Sequence, residues 1–342
     1  FILVLSILVG FLAGLGTVLL KYLTRFIQSV LEGWFIKNYY YSLYFIFPII
    51  GVWLVYLIKK NFIKKEIGHG ISTTLYAISK RSGIIERYKM FASLIVAPIT
   101  VGFGGSVGLQ GPAVSTGAAL GSNVASMFHM NAKTRMLLIG CATAGAMSSM
   151  FKAPVAAIVF AVEIFSLDLV FTSLVPLLLA SVAAVITSYF FRGTDVLFSF
   201  ELLDAWRVKD IIFYVFLGVA TGIASVYFSK MYFLITRFFG WFSNAYVKIG
   251  IAALAIGLML YLFPPLYGEG YGLINNLLNG NTEAALSGIQ YQIDFNNIWM
   301  VIVILLIIAV FKAIAMTCLL YTSDAADDMQ CVDLGGRRII KK

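Results

Sequence analysis

The chain has 342 residues, 61% hydrophobic and 12% charged, with a mean hydropathy of +0.92 and a formal net charge of +9. That balance excludes an ordinary soluble domain, whose core would need more polar cover. It also excludes nucleic-acid binding, because the basic residues stand in short loops between apolar runs and form no polar face. Three cysteines (Cys141, Cys318, Cys331) have neither disulfide nor metal spacing, and His69 and His129 are the only histidines. No metal and no cofactor is therefore expected.

Residues 1–31 form one apolar segment long enough to span a bilayer with tilt. Its first residue has no basic segment ahead of it, so no cleavable signal peptide is expected, and the chain is expected to begin inside a longer protein. Gly10 and Gly14, four apart, would let a neighbouring helix come close. Residues 33–42 are polar and aromatic, as at a membrane interface, and a second span is expected at about 43–58. Next comes a segment flanked by Lys59, Lys60, Lys64 and Lys65 on one side and Lys80, Arg81, Arg87 and Lys89 on the other. Positive charge at both ends places both on the cytoplasmic side, so residues 70–79 read as a re-entrant helix too short to cross.

Residues 90–107 lead to GFGGSVGLQGPAVSTGAALG, residues 102–121. Glycine at this density permits sharp turns and bares backbone amides. Pro112 suits the first turn of a helix expected over about 113–127. A helix start that faces a cavity inside a membrane is an anion site, since its first amides are unpaired and its dipole is positive there. Residues 134–149 and 151–165, with Pro154 opening the second, read as small-residue segments shorter than a full crossing. A long span follows at about 169–191, closed by Arg192, and residues 193–207 make a polar break.

After the break the pattern returns. Spans are expected at 208–239 and 248–264; GVATG (218–222) echoes GFLAG (10–14), and GEGYGLINNLLNG (268–280) echoes GHGISTTLYAI (68–78). Three membrane segments before each recurrence would set the halves in opposite orientation. The expected class is thus an all-α polytopic membrane protein with inverted repeats, 1–192 and 208–320, and re-entrant and broken helices, a design found in transport folds.

These stretches resemble the CLC family of chloride channels and proton-coupled chloride antiporters. The family's first filter motif, GSGIP, is matched in part by Gly68, His69, Gly70, Ile71 and Ser72. Its second, GREGP or GKEGP, is matched by Gly108, Leu109, Gln110, Gly111 and Pro112, preceded by GGSVG at 104–108. Its F-N-A-P-x-x-G-x-x-F-x-x-E stretch is matched by Phe151, Lys152, Ala153 and Pro154 onward to Phe160 and Glu163. The resemblance implies a homodimer in a bilayer, with the bacterial inner membrane as the expected location. It further implies one pathway per subunit for chloride or a similar anion, lined by helix N-termini. Partial charges of amides suit that task, because they bind an ion and let it go.

Departures from the family pattern carry their own expectations. Gln110 stands where the family has its gating glutamate and cannot titrate. Ile164 takes the place of the antiporters' inner proton-relay glutamate, beside Glu163. Both changes point to passive, proton-uncoupled flow, with a coupled antiporter, or a carrier of another halide, as the alternative. Glu163 reads as a buried structural carboxylate or a group on a proton path. His69 replaces the filter serine associated with chloride preference, and Ser72 the proline; His69 either lines the cytoplasmic mouth, making it pH-sensitive, or contributes only its backbone. Lys152 either steers anions or snorkels at the interface.

Residues 297–320 read as a further span, after which the family's third filter motif, G-x-F-x-P, is due. Instead the chain runs YTSDAADDMQCVDLGGRRIIKK, which reads as translated adapter or vector DNA, so 321–342 are expected to be non-native and the second repeat truncated. Enzyme readings are excluded. The glycine stretch lacks the G-x-x-x-x-G-K-[ST] form, and Ser106 and Ser115 have no histidine or lysine set to activate them as nucleophiles.

Overall fold

Every long apolar run becomes a helix. The computed structural model describes residues 1–31, 33, 43–63, 70–165, 171–193, 197–198, 207–242, 244–289 and 297–319. In chain order the helices are α1 (Ile2–Val30), α2 (Leu43–Ile58), α3 (Gly70–Lys80), α4 (Tyr88–Gly102), α5 (Gln110–Met127), α6 (Ala132–Phe151) and α7 (Pro154–Phe165). Then come α8 (Phe171–Arg192), α9 (Ile211–Gly240), α10 (Ala245–Leu262), α11 (Tyr271–Leu278), α12 (Thr282–Ala285) and α13 (Ile298–Leu319). Among the described residues, 5 helical stretches are long and apolar enough to cross a membrane: α1, α2 with the π-turn Lys59–Ile63, most of α8, α9 with its leading 3-10 turn, and α13. The expected tail, 321–342, lies outside the described residues.

Two expectations about α5 and α6 need correction. Helix α5 opens at Gln110 and not near Ala113. Pro112 is its third residue, still in the first turn, where no amide is needed for an intrahelical bond, so the proline does not delay the start. Helix α6 has 20 residues and is no short segment. Caps, not hydropathy, set its ends: the Asn131 side chain accepts from the Thr134 amide at 2.8 Å, and Lys152 closes the helix in the left-handed conformation, φ 56°.

Helix α6 is the centre of the packing, lying against α1, α5, α7 and α8. It is buried without a break from Leu138 to Met150, which its run of Gly, Ala, Ser and Cys permits. Backbones come close: a Cβ on Gly117 of α5 would stand 2.8 Å from the Ala142 carbonyl oxygen, and one on Gly14 would stand 3.0 Å from Ala184 Cα of α8. Hydroxyls stitch the same faces. Ser148 donates to the Ser181 carbonyl at 2.9 Å, Ser188 to the Ser149 carbonyl at 3.0 Å, and Ser149 to the Gly14 carbonyl at 3.3 Å. In an apolar surrounding such bonds replace the hydrophobic drive that lipid removes.

The later helices form a second group, α10 against α2 and α13, and α9 against α13. Leu20, Leu109, Ile256, Leu260, Leu266 and Met316 share one buried cluster, which joins the two groups beneath the glycine stretch. The order long, shorter, short recurs: α1, α2, α3 have 29, 16 and 11 residues, and α9, α10, α11 have 30, 18 and 8. Gly70 at the start of α3 and Gly270 before α11 both have positive φ.

Candidate anion-binding site

The chain leaves α4 at Gly102 and must turn within a few residues to start α5. Gly104 takes φ +98°, and a Cβ there would lie 2.9 Å from the Tyr267 ring, so both conformation and space require glycine. The Gly105 amide donates back to Thr100 at 2.8 Å and tightens the turn. Leu109 is the N-cap of α5 and carries no capping side chain. The first bond closing the helix runs from the Ala113 amide to the Leu109 carbonyl at 3.0 Å. The Gln110 and Gly111 amides ahead of it have no acceptor within the helix, and Pro112 has no amide to offer. Positive partial charge is therefore concentrated at this start.

That start borders a cavity of about 300 Å³ whose wall includes Leu109, Lys21, Arg25, Lys152, Arg192 and Glu269. Four of these are cations, drawn from α1, the end of α6 and the end of α8. Lys21 and Arg25 lie one turn apart on α1; Lys21 is almost fully buried and donates to the Met150 carbonyl at 2.7 Å. Lys152, at the end of α6, donates to the Gly193 carbonyl at 2.6 Å and lies 5.2 Å above the Tyr189 ring. Arg192 closes α8. An anion entering here meets a positive, partly enclosed space that reaches the N-cap of α5.

A further part of the wall comes from Glu269, in the segment between α10 and α11, and from Tyr271, Gly272 and Asn275 of α11. The Ser106 hydroxyl donates to the Leu266 carbonyl and the Tyr267 hydroxyl to the Gly102 carbonyl. Gly268 (φ +64°) and Gly270 (φ +86°) flank Glu269 and bend the loop towards α5. Glu269 Oε1 accepts from the Leu109 amide at 3.4 Å, a long hydrogen bond, and Gln110 Nε2 donates to the Tyr271 hydroxyl at 3.1 Å. Burial pushes the Glu269 carboxyl above the usual carboxylate range, against the opposing pull of Lys21, the Leu109 amide, Lys312 and Arg192. Lys312 on α13 fixes the loop by donating to the Gly268 carbonyl at 2.8 Å. Lys312→Met should strip that carbonyl of its donor and lower stability by about 1–3 kcal/mol, read as a drop in the thermal midpoint in detergent.

Of the residues singled out in the sequence, Leu109 lines the cavity; Gly108 precedes it in the chain, and Gln110, Gly111 and Pro112 follow it in the first turn of α5. The Gln110 side chain folds back over Gly108, where a Cβ would be 3.7 Å from its amide carbon. Ile71 is buried in the cluster that holds Val114 of α5, Ser72 is half-buried, and Gly70 begins α3. Gly68 and His69 lie outside the described residues. Lys152 lies on the cavity wall.

Glu163 departs from expectation, for it is exposed and not buried. Helix α7 turns Ala157, Ala161 and Phe165 inward, at a spacing of four, which leaves Glu163 on the outer face with Val155 and Val159. Ile164 packs partly buried among residues of α3, α5 and α6. Lys21, Arg25, Arg192, Glu269 and Tyr271 were not among the expected site residues. Charges inside an apolar run, at Lys21 and Arg25, are the signal that was there to read.

Comparison with known proteins places this site in a family. The family model described as voltage gated chloride channel matches residues 49–326. A putative chloride channel protein ClcB-like of Ralstonia nicotianae is 26% identical over 221 residues, covering 61% of this chain and 50% of that protein. The H(+)/Cl(-) exchange transporter ClcA of Vibrio cholerae is 26% identical over 302 residues, covering 83% of this chain and 64% of that protein. This chain thus spans between half and two thirds of the length of these relatives. The fold resembles a slow cyanobacterial Cl-/H+ antiporter, with a TM-score of 0.73 at 19% identity over 95% of this chain and 74% of the other. It also resembles a CLC-type fluoride/proton antiporter, with a TM-score of 0.69 at 22% identity over 94% and 78%. With the family model covering most of the chain and both filter-like glycine stretches falling within it, the chain belongs to the voltage gated chloride channel family, that is, to the CLC proteins.

Proposed function

We propose that this integral membrane protein carries chloride or a similar small anion across the bilayer through a pathway that passes the start of α5. One observation carries the reading: Leu109, the N-cap at the positive end of α5, lines a cavity walled also by Lys21, Arg25, Lys152 and Arg192. Such a cavity gathers anions by long-range attraction, and the amides then hold them with partial charge only, so that release stays fast. The working form is a homodimer in a bacterial inner membrane, as the family resemblance implies.

Flow is passive and uncoupled from protons. Gln110 at the head of α5 cannot titrate, and Ile164 offers no proton carrier further in. A second reading, proton-coupled exchange, has one observation in its favour, the Glu269 carboxylate beside Leu109. Chloride-loaded proteoliposomes decide between them once a potassium ionophore removes the electrical block. The passive reading expects chloride release with no proton movement against its gradient. Uphill proton movement driven by chloride would replace it with the coupled reading, and no release at all would overturn both.

A further inference from the structure

Away from the cavity, the end of α2 and the start of α10 are held at one level. Lys60, in the π-turn that closes α2, donates to the Tyr246 hydroxyl at 3.3 Å and lies 5.9 Å from the centre of its ring. Tyr246 is the second residue of α10, and its ring meets that of Tyr56 edge-on at 5.3 Å. Only four residues separate α10 from the end of α9, so the last turn of α9, with Arg237, returns to the same end of the bundle. These helix ends join cations to bare rings. Phe62 is 83% exposed, Trp241 78% and Tyr246 55%. Lys60 and Arg237 are exposed and Lys59 is half-exposed. No carboxylate of the described residues pairs with Lys60, whose neighbours are the phenols of Tyr246 and Tyr56. An ammonium has three donors and the Tyr246 hydroxyl takes one, so two remain for an outside acceptor. In the sequence, KKNFIKKE at 59–66 sets four lysines against one glutamate.

We propose that the junction of α2 and α10 is a binding site for an anionic glycerophospholipid of the adjoining leaflet, with Lys59 and Lys60 on its phosphate and Phe62 and Trp241 against its glycerol and upper acyl chains. The inference needs only that α2 and α9 span a bilayer, and it holds whichever ion the protein passes. Water is a poor cover for the rings, and hydrocarbon is a poor cover for the lysines. A phospholipid offers both a charged head and tails at the depth where spans end, which is where aromatic and basic residues gather in membrane proteins. Charge selects among lipids: a head with a net negative charge is drawn to paired lysines, while a zwitterionic head brings its own cation with it. The positive end of α10 adds to the attraction. A head held between Lys60 and the start of α10 ties the close of α2 to a helix of the later group.

The test is native mass spectrometry of the full chain in detergent with equal amounts of phosphatidylglycerol and phosphatidylcholine, which differ in the head alone. The wild type should retain phosphatidylglycerol in preference by about tenfold or more, and the preference should fall by about fivefold for each lysine removed, so that Lys59→Gln with Lys60→Gln abolishes it. Lys60→Arg keeps the charge and should keep the preference. Excess inorganic phosphate, which has no tails, should leave the lipid bound. Equal retention of the two lipids by the wild type overturns the site, and so does an unchanged preference in the folded double variant. Displacement of the lipid by inorganic phosphate would make this a site for free anions and overturn the lipid as its occupant. If the double variant does not fold, Lys60→Gln alone decides: an unchanged preference overturns the site.

Discussion

Gly10→Val should leave no stable bundle in detergent. A Cβ on Gly10 would overlap the backbone carbonyl of Ala180 and lie 2.6 Å from its Cα. Since the obstacle is backbone, no rotamer change can relieve it, and α1 must separate from α8. Separation would strain the contacts of α6, which packs on both, including the bonds from Ser149 to Gly14 and from Ser148 to Ser181. A loss of about 3 kcal/mol or more is expected, read as a lower thermal midpoint or as aggregation on size exclusion. Gly218→Ala and Gly222→Ala supply the contrast. Both positions sit in the sequence echo of Gly10 and Gly14, yet nothing lies within 4 Å of a Cβ at either. They should be neutral or gain up to about 1 kcal/mol from helix propensity. Equal damage at Gly10 and Gly218 would contradict the packing described.

Arg25→Glu combined with Lys152→Glu should slow anion flux by about 10- to 100-fold at low salt. Among the described residues of its wall, four cations and one carboxylate give the cavity a net positive charge, and the double reversal makes it negative. The loss should shrink as salt rises from about 0.01 to 1 M, because the screening length falls from about 30 to 3 Å. Lys152→Met controls for the broken bond to the Gly193 carbonyl, and its effect should be smaller and less dependent on salt. A salt-independent loss in the double variant would mean that these side chains support structure and do not attract ions.

What could be read from the sequence divides along a physical line. Partition of apolar runs into lipid is a local property, so α1, α2, α8, α9 and α13 were all legible from hydropathy. Proline at a first turn is local too, and Pro154 marks the start of α7 where expected. The close approach at Gly10 and Gly14 was legible because small residues on one helix face have few other uses. The length of α6 was missed because its buried surface is small and polar, which depresses hydropathy without shortening a helix. Glu163 was misjudged because a carboxylate in an apolar run does not reveal which way its helix is turned. Glu269 was hidden more deeply. Its loop was read as an echo of residues 68–78, and only folding across some 160 residues brings it to Leu109.

The seam between the two groups of helices bears on how the protein is made. Ser106, Gln110 and the Leu109 amide find their partners on residues 266–271, and the Gly102 carbonyl finds its donor on Tyr267. The glycine turn thus emerges from the ribosome long before the groups that satisfy it, and lipid offers its polar atoms nothing in the interval. Insertion of the early helices can proceed as they are synthesised, but this turn must wait, sheltered by water or by the insertion machinery, until synthesis passes residue 271.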